Sequence, residues 1–269
     1  MTSITVRRPE FEWPSDLPLI ADPDNPQQSC EIVGLSFTLP YLEPYLIRTM
    51  RVAMKEVADD DLRADMKAFS GQEAQHFKNH AAINDVVRVQ LSDEAGTAMR
   101  DLEDRLEADY RRFTAEKSLA FNLAYAEGFE AMTFAFARSS MSPGARDGTV
   151  SKWTELMAWH LAEEIEHRTV TFDAYEQIVG RYPYRVAVGT RAQVHYLGYL
   201  LAMSAVVYRD GFDPDISNRR VKMQAVKRAW SIGSLQGTIR SMSPRYNPRH
   251  VEISDDVREV TDMFGIDLG

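Results

Sequence analysis

Glutamate and histidine recur at one spacing in two places. Glu73 and His76 lie in Gly71-Gln72-Glu73-Ala74-Gln75-His76, and Glu164 and His167 in Glu163-Glu164-Ile165-Glu166-His167. An isolated carboxylate stands upstream of each pair, Glu43 before the first and Glu130 before the second. Positions i and i+3 share a helical face, so each pair aims two donors in one direction. Four carboxylates and two imidazoles from four helices form a donor set for two metal ions inside a bundle.

The surroundings of these residues point inward. Met66, Phe69 and Phe77 share the stripe of the first pair, and Met157 and Thr171 that of the second. Glu43 lines up with Ile47, Met50 and Met54, and Glu130 with Leu123 and Phe134. A buried carboxylate left alone is costly, so it is protonated, paired or metal-bound. Two divalent cations satisfy the whole set at once. Imidazole and carboxylate donors suit iron, manganese or zinc, and the absence of thiolates removes softer metals.

Other readings compete residue by residue. One Glu-x-x-His is commonplace on solvated helices, and only its duplication carries weight. Glu127 rivals Glu130 on the third helix. His80, at i+4 from His76, is an extra ligand, a supporting group or an ordinary core histidine, and His160 has the same three readings. Glu127, Glu163 and His80 are the candidates for proton transfer. Glu56, beside Lys55 and Asp59, reads as solvent-facing. Asp173 either orients a histidine or pairs with an arginine.

The elements that must position these residues read as helices. Residues 1–30 carry five prolines and form an extended arm. Helical spacing begins near Tyr41, with aspartates 59–61 capping a second helix to about residue 90. Ser92-Asp93-Glu94 starts the stretch 93–138, read as one long helix or two with a slight break. Ser142-Pro143-Gly144 marks a turn, and a further helix spans 148–179, ending at Gly180 before Pro183. Helices follow near 185–210 and 217–235, with a short one near 253–264. No sheet is expected. The domain plan is an arm over 1–30, a helical dimetal domain over 31–250 and a tail over 251–269.

Composition narrows the function. The net charge is −9 with no basic block evident, which argues against nucleic acid as a partner. Cys30 is the only cysteine, so no internal disulfide forms, and a reducing cytoplasm is the expected compartment. The apolar run from Tyr196 to Tyr208 is too short to span a bilayer and reads as a buried helix, with a dimer or membrane-surface contact as the alternative.

At this point the chain resembles a known family. Gln72-Glu73-Ala74-Gln75-His76 with His80, Trp159 to His167, and Phe172-Asp173-Ala174-Tyr175 resemble the bacterial proteins labelled predicted metal-dependent hydrolases. Leu39-Pro40-Tyr41-Leu42-Glu43 and Tyr246-Asn247-Pro248 extend the likeness over about residues 35 to 250. The family looks related to the ferritin-like carboxylate dimetal proteins. The resemblance implies an all-α, ferritin-like four-helix bundle with additional C-terminal helices. It also implies Glu43, Glu73, His76, Glu130, Glu164 and His167 as ligands to two metal ions. The ligand types favour an O2-activating di-iron oxidoreductase acting on a small, partly apolar substrate, with Phe69, Phe77, Phe129, Phe134 and Met157 as pocket candidates. A hydrolase using metal-activated water is the alternative, and a non-enzymatic metal-binding protein the further one. A homodimer is the remaining partner expectation.

Overall fold

The computed structural model describes residues 4–141 and 151–268, and among them the regular structure is helical with no strand. The helices are α1 (Pro26–Ala53), α2 (Asp60–Arg88), α3 (Asp93–Glu116), α4 (Leu119–Ser140), α5 (Lys152–Glu166), α6 (Val170–Ile178), α7 (Tyr182–Gly211), α8 (Asn218–Ser231), α9 (Ser234–Ser241) and α10 (Asp255–Met263). None of the described helices is long and apolar enough to cross a membrane. The all-α expectation holds; α1, α2, α4 and α5 carry Glu43, Glu73 with His76, Glu130 and Glu164, and His167 follows directly on α5.

Helix starts follow side-chain chemistry. Asp59, Ser92, Ser118, Ser151 and Ser217 each accept hydrogen bonds from backbone N–H groups of the first turn. The cap at Ser118 splits the 93–138 stretch into α3 and α4. The stretch read as a helix to residue 179 also divides, because His167 closes α5 before α6 begins. Gly233, at φ 87°, divides the 217–235 expectation into α8 and α9. The expected turn at Ser142-Pro143-Gly144 and the helix start near 148 lie outside the described residues.

The largest correction concerns α1. It begins at Pro26, far ahead of Tyr41, because a proline in the first turn removes no hydrogen bond the helix would make. Pro40 and Pro44 lie inside it. Pro40 has no N–H for the carbonyl of Ser36, and Asn84 Nδ2 on α2 donates to that oxygen at 2.9 Å. Pro183, read as a stop, sits in the first turn of α7.

α1 packs on α2 and α7, and α4 on α7. The α4–α7 crossing is close enough that a Cβ on Gly128 would meet Gly189 Cα at 2.2 Å. The segment 4–25 lies across the bundle, where Leu17 and Leu19 join the main core. Trp153 Nε1 donates to Pro18 O, and Gln90 bonds to Leu17 and Leu19 backbone.

Candidate metal centre

The structure brings all six sequence-expected ligands together and adds His160. Two groups of donors form, Glu43, His76 and His160 in one and Glu73, Glu130, Glu164 and His167 in the other. Every member is buried to 3% exposure or less. Glu164 joins the two groups. Its Oε1 lies 3.0 Å from His160 Nε2 and 3.8 Å from His76 Nδ1, while Oε2 lies 3.2 Å from His167 Nε2. Glu73 spans them in the same way, 3.8 Å from His76 Nδ1 and 3.5 Å from His167 Nε2. Glu130 stands 3.3 Å from His167 Nε2.

Each histidine is held from behind so that a lone pair faces this space. His76 Nε2 donates to Glu163 Oε2 at 3.0 Å, leaving Nδ1 toward the carboxylates. His167 Nδ1 lies 3.0 Å from Gln72 Oε1. Gln72 Nε2 donates to Thr5 O and Glu166 Oε2, which fixes Oε1 as the acceptor and leaves His167 Nε2 facing inward. The third case is longer. Asn84 donates to Ser36 O, so its Oδ1 accepts from Ser36 Oγ. That hydroxyl, its proton spent, accepts from His80 Nδ1, and His80 Nε2 accepts from His160 Nδ1 at 3.0 Å. His160 Nε2 is thereby a lone pair directed at Glu164.

The donor atoms pass the test for a cation. Glu43 Oε1 and Oε2, Glu73 Oε1, His76 Nδ1 and Glu130 Oε1 are buried without a hydrogen-bond partner. Arginines that could neutralise them turn elsewhere: Arg48 to Thr114, Arg138 to Glu252 O, Arg168 to Ile165 O. Ligand bonds of about 2.1 Å at angles near 90° separate donor atoms by about 3.0 Å, the lower end of the spacings above.

Without cations, protons take their place. Burial, with the charges of Glu73, Glu164 and Glu130, holds the Glu43 carboxyl well above the usual range. Burial and Glu164 do the same to Glu130, against the pull of His167. Burial also opposes ionisation of Glu164, but His167 and His160 outweigh it and hold that carboxyl well below the usual range. Burial disfavours charge on His76, yet the hydrogen bond to Glu163 and the nearby carboxylate of Glu73 raise it to about 9. His167 rises well above its ordinary value through Glu164 and Glu130, again against burial. Burial lowers His80 and His160, helped by the neighbouring histidines.

One family model, described as predicted metal-dependent hydrolase, matches residues 5–252. The chain belongs to that family. Neither a curated protein nor a solved structure matches the chain significantly. The predicted metal-dependent hydrolase match takes in both donor groups and all but the first described residue of the arm that supports them.

The other sequence candidates go to different places. Glu127 points away from the donors and accepts from Arg185 Nη1 at 2.7 Å. Burial still pushes its carboxyl up to about 7, with Arg185 acting in the opposite direction. Glu163 and His80 are fully buried and hold His76 and His160, respectively. Asp173 pairs with Arg249, not with a histidine, and Glu56 is exposed. Of the pocket candidates, Phe129 and Met157 line a cavity of about 200 Å³ that also touches His160. Phe69 instead packs edge-on against the His167 ring.

Sequence reasoning missed the supports. Arg7 Nη1 donates to Glu163 at 3.2 Å and Glu166 at 2.6 Å, and Arg7 Nε donates to Phe264 O. Val6 packs so close that a Cβ on Gly71 would meet its Cγ2 at 2.6 Å. His160 carried one signal, its i+4 spacing to Glu164, which mirrors the spacing of His76 and His80.

Proposed function

We propose that the chain is a dimetal-carboxylate hydrolase. The observation that carries this reading is the set of unpartnered buried oxygen and nitrogen atoms between two adjoining donor groups. The family description agrees with it. The helical domain expected over 31–250 holds the chemistry, and the described segments 4–25 and 251–268 cover and brace it. Glu43, Glu73, Glu130, Glu164, His76, His160 and His167 would hold the ions, with Glu73 and Glu164 lying within reach of both donor groups.

Two divalent cations supply Lewis acidity and acidify water at such a centre. The residues do the rest. Glu163 and Gln72 keep their histidines in the tautomer that offers a lone pair. Glu43 has no hydrogen-bond partner on either oxygen, so both oxygens are available to a cation. Packing around the donors excludes bulk water, which strengthens each charge interaction.

A second reading, O2-dependent oxidation at a di-iron centre, is supported by one observation. The cavity touching His160 is lined largely by aliphatic and aromatic side chains, Leu39, Phe129 and Met132 among them. Elemental analysis of protein purified without added metal tests both readings, and about two metals per chain are expected. Fewer than about 0.3 per chain after attempted reloading would sink them together. Zinc or manganese with O2-independent ester or amide cleavage favours hydrolysis, and iron with an O2-sensitive near-ultraviolet band favours oxidation.

A further inference from the structure

The chain is acidic as a whole, but α8 is not. Arg219, Arg220, Lys222, Lys227 and Arg228 fall within its fourteen residues, with no acidic residue among them. This local concentration escaped the charge reading of the sequence. The same helix exposes Met223, Val226 and Trp230 at 50%, 55% and 57%. Spacings of three and four put these three on one stripe, and Lys222 and Lys227 flank it on opposite sides. A helix with an apolar outer stripe between basic residues suits the boundary of an anionic bilayer. Duplex nucleic acid would leave the Met-Val-Trp stripe without an apolar partner.

The opposite face of α8 roofs the cavity of about 200 Å³. Ala225 and Ala229 line it, and their small side chains leave it open where larger ones would close it. Its lining passes from exposed Leu197 and Val226 to buried Leu39, Phe129 and His160. Arg228, bonded to Glu31, is the charged pair on its wall. An apolar cavity of about 150 Å³ takes a benzene ring, so this one takes an aliphatic segment of about six to eight carbons.

We propose that α8 seats the chain on an anionic lipid surface, and that the cavity beneath it receives the aliphatic chain of a lipid-derived substrate whose reacting end lies beside His160. Only the word substrate rests on the enzymatic reading above. The apolar stripe would insert at the headgroup boundary, the flanking lysines would meet lipid phosphates, and Leu197 and Val226 would open onto the acyl region.

Flotation of the full metal-loaded chain with phosphatidylcholine vesicles containing about 30 mol% phosphatidylglycerol, beside pure phosphatidylcholine vesicles, tests the surface. Binding to the anionic vesicles alone is expected, weakening about tenfold or more at high salt. Met223→Ser with Trp230→Ser should lower it at least about tenfold with metal content unchanged. Equal binding to both vesicle types, or unaltered binding by the double variant, overturns the proposal. A dimer dissociated by the same substitutions, without vesicle binding, also overturns it and gives the face to a second copy. Octanoate should raise the melting temperature of the wild type, and Ala229→Phe should abolish that rise while leaving flotation intact. A rise retained in that variant overturns the cavity assignment. Failure of the wild type to float while it retains two metals defeats this inference alone, whereas a metal-free wild type that still floats defeats only the metal reading.

Discussion

Glu164 offers one oxygen to each donor group, and His160 serves only the first. Their substitutions should therefore differ. Glu164→Ala is expected to remove both metals, and His160→Ala to leave about one per chain, read by elemental analysis against Glu56→Ala as an unaffected control. Retention of two metals in His160→Ala would contradict the ligand assignment. Glu127 gives a pH prediction away from the centre. Its folded carboxyl lies at about 7, above the ordinary value of 4.5, so the folded state holds the proton more tightly. The resulting stabilisation is complete below about pH 4.5 and is lost as pH rises through about 7. Relative to Glu127→Gln, the wild type should lose roughly 3 kcal/mol over that window in urea unfolding. A flat difference would show that Arg185 keeps Glu127 ionised throughout. The Glu-x-x-His pairs were legible in the sequence because their spacing alone fixes a shared face. His160 was undecided there, because its role depends on Ser36 and Asn84, which lie more than seventy positions away and have no spacing rule linking them to it.

At the scale of elements, the α4–α7 crossing and the arm do most to place the donors. Gly128→Ala would drive a methyl group into Gly189 and push α4 away from α7, at a cost of about 1–3 kcal/mol in denaturant unfolding. Unchanged stability would mean that the crossing is looser than 2.2 Å implies. Arg7 touches no donor atom, yet it holds Glu163 and Glu166, which position His76 and Gln72. Arg7→Ala should weaken metal binding about 10- to 100-fold in competition with a chelator while leaving helicity unchanged. Most helices could be read from capping residues and apolar spacing. The break at His167 could not, since it contains neither glycine nor proline, and the one at Lys117 stayed an open alternative until the Ser118 cap was seen. The start of α1 was hidden for the opposite reason: Pro26, Pro40 and Pro44 look like barriers until Asn84 is seen satisfying the carbonyl that Pro40 leaves free.

Across the whole molecule the centre is a buried store of negative charge held in check by protons. Loading two divalent cations at pH 8 should release on the order of two to four protons, drawn from His76, His167, Glu43 and Glu130. Calorimetry in buffers of different ionisation enthalpy counts them, and apparent affinity should fall as pH is lowered. Uptake without proton release would contradict this account of the metal-free state. The all-α bundle was visible from the sequence at this scale, but the cavity and the basic outer helix were not, because both depend on which faces remain after packing. Arg7 has a further consequence. Its guanidinium joins Glu163 to the carbonyls of Phe264 and Gly265, more than 250 positions along the chain. A ribosome making this protein finishes every candidate metal ligand about a hundred residues before it makes those two carbonyls. The ligand helices are therefore complete before their lock is, so stable metal capture waits for the segment around Phe264 and Gly265 to be made.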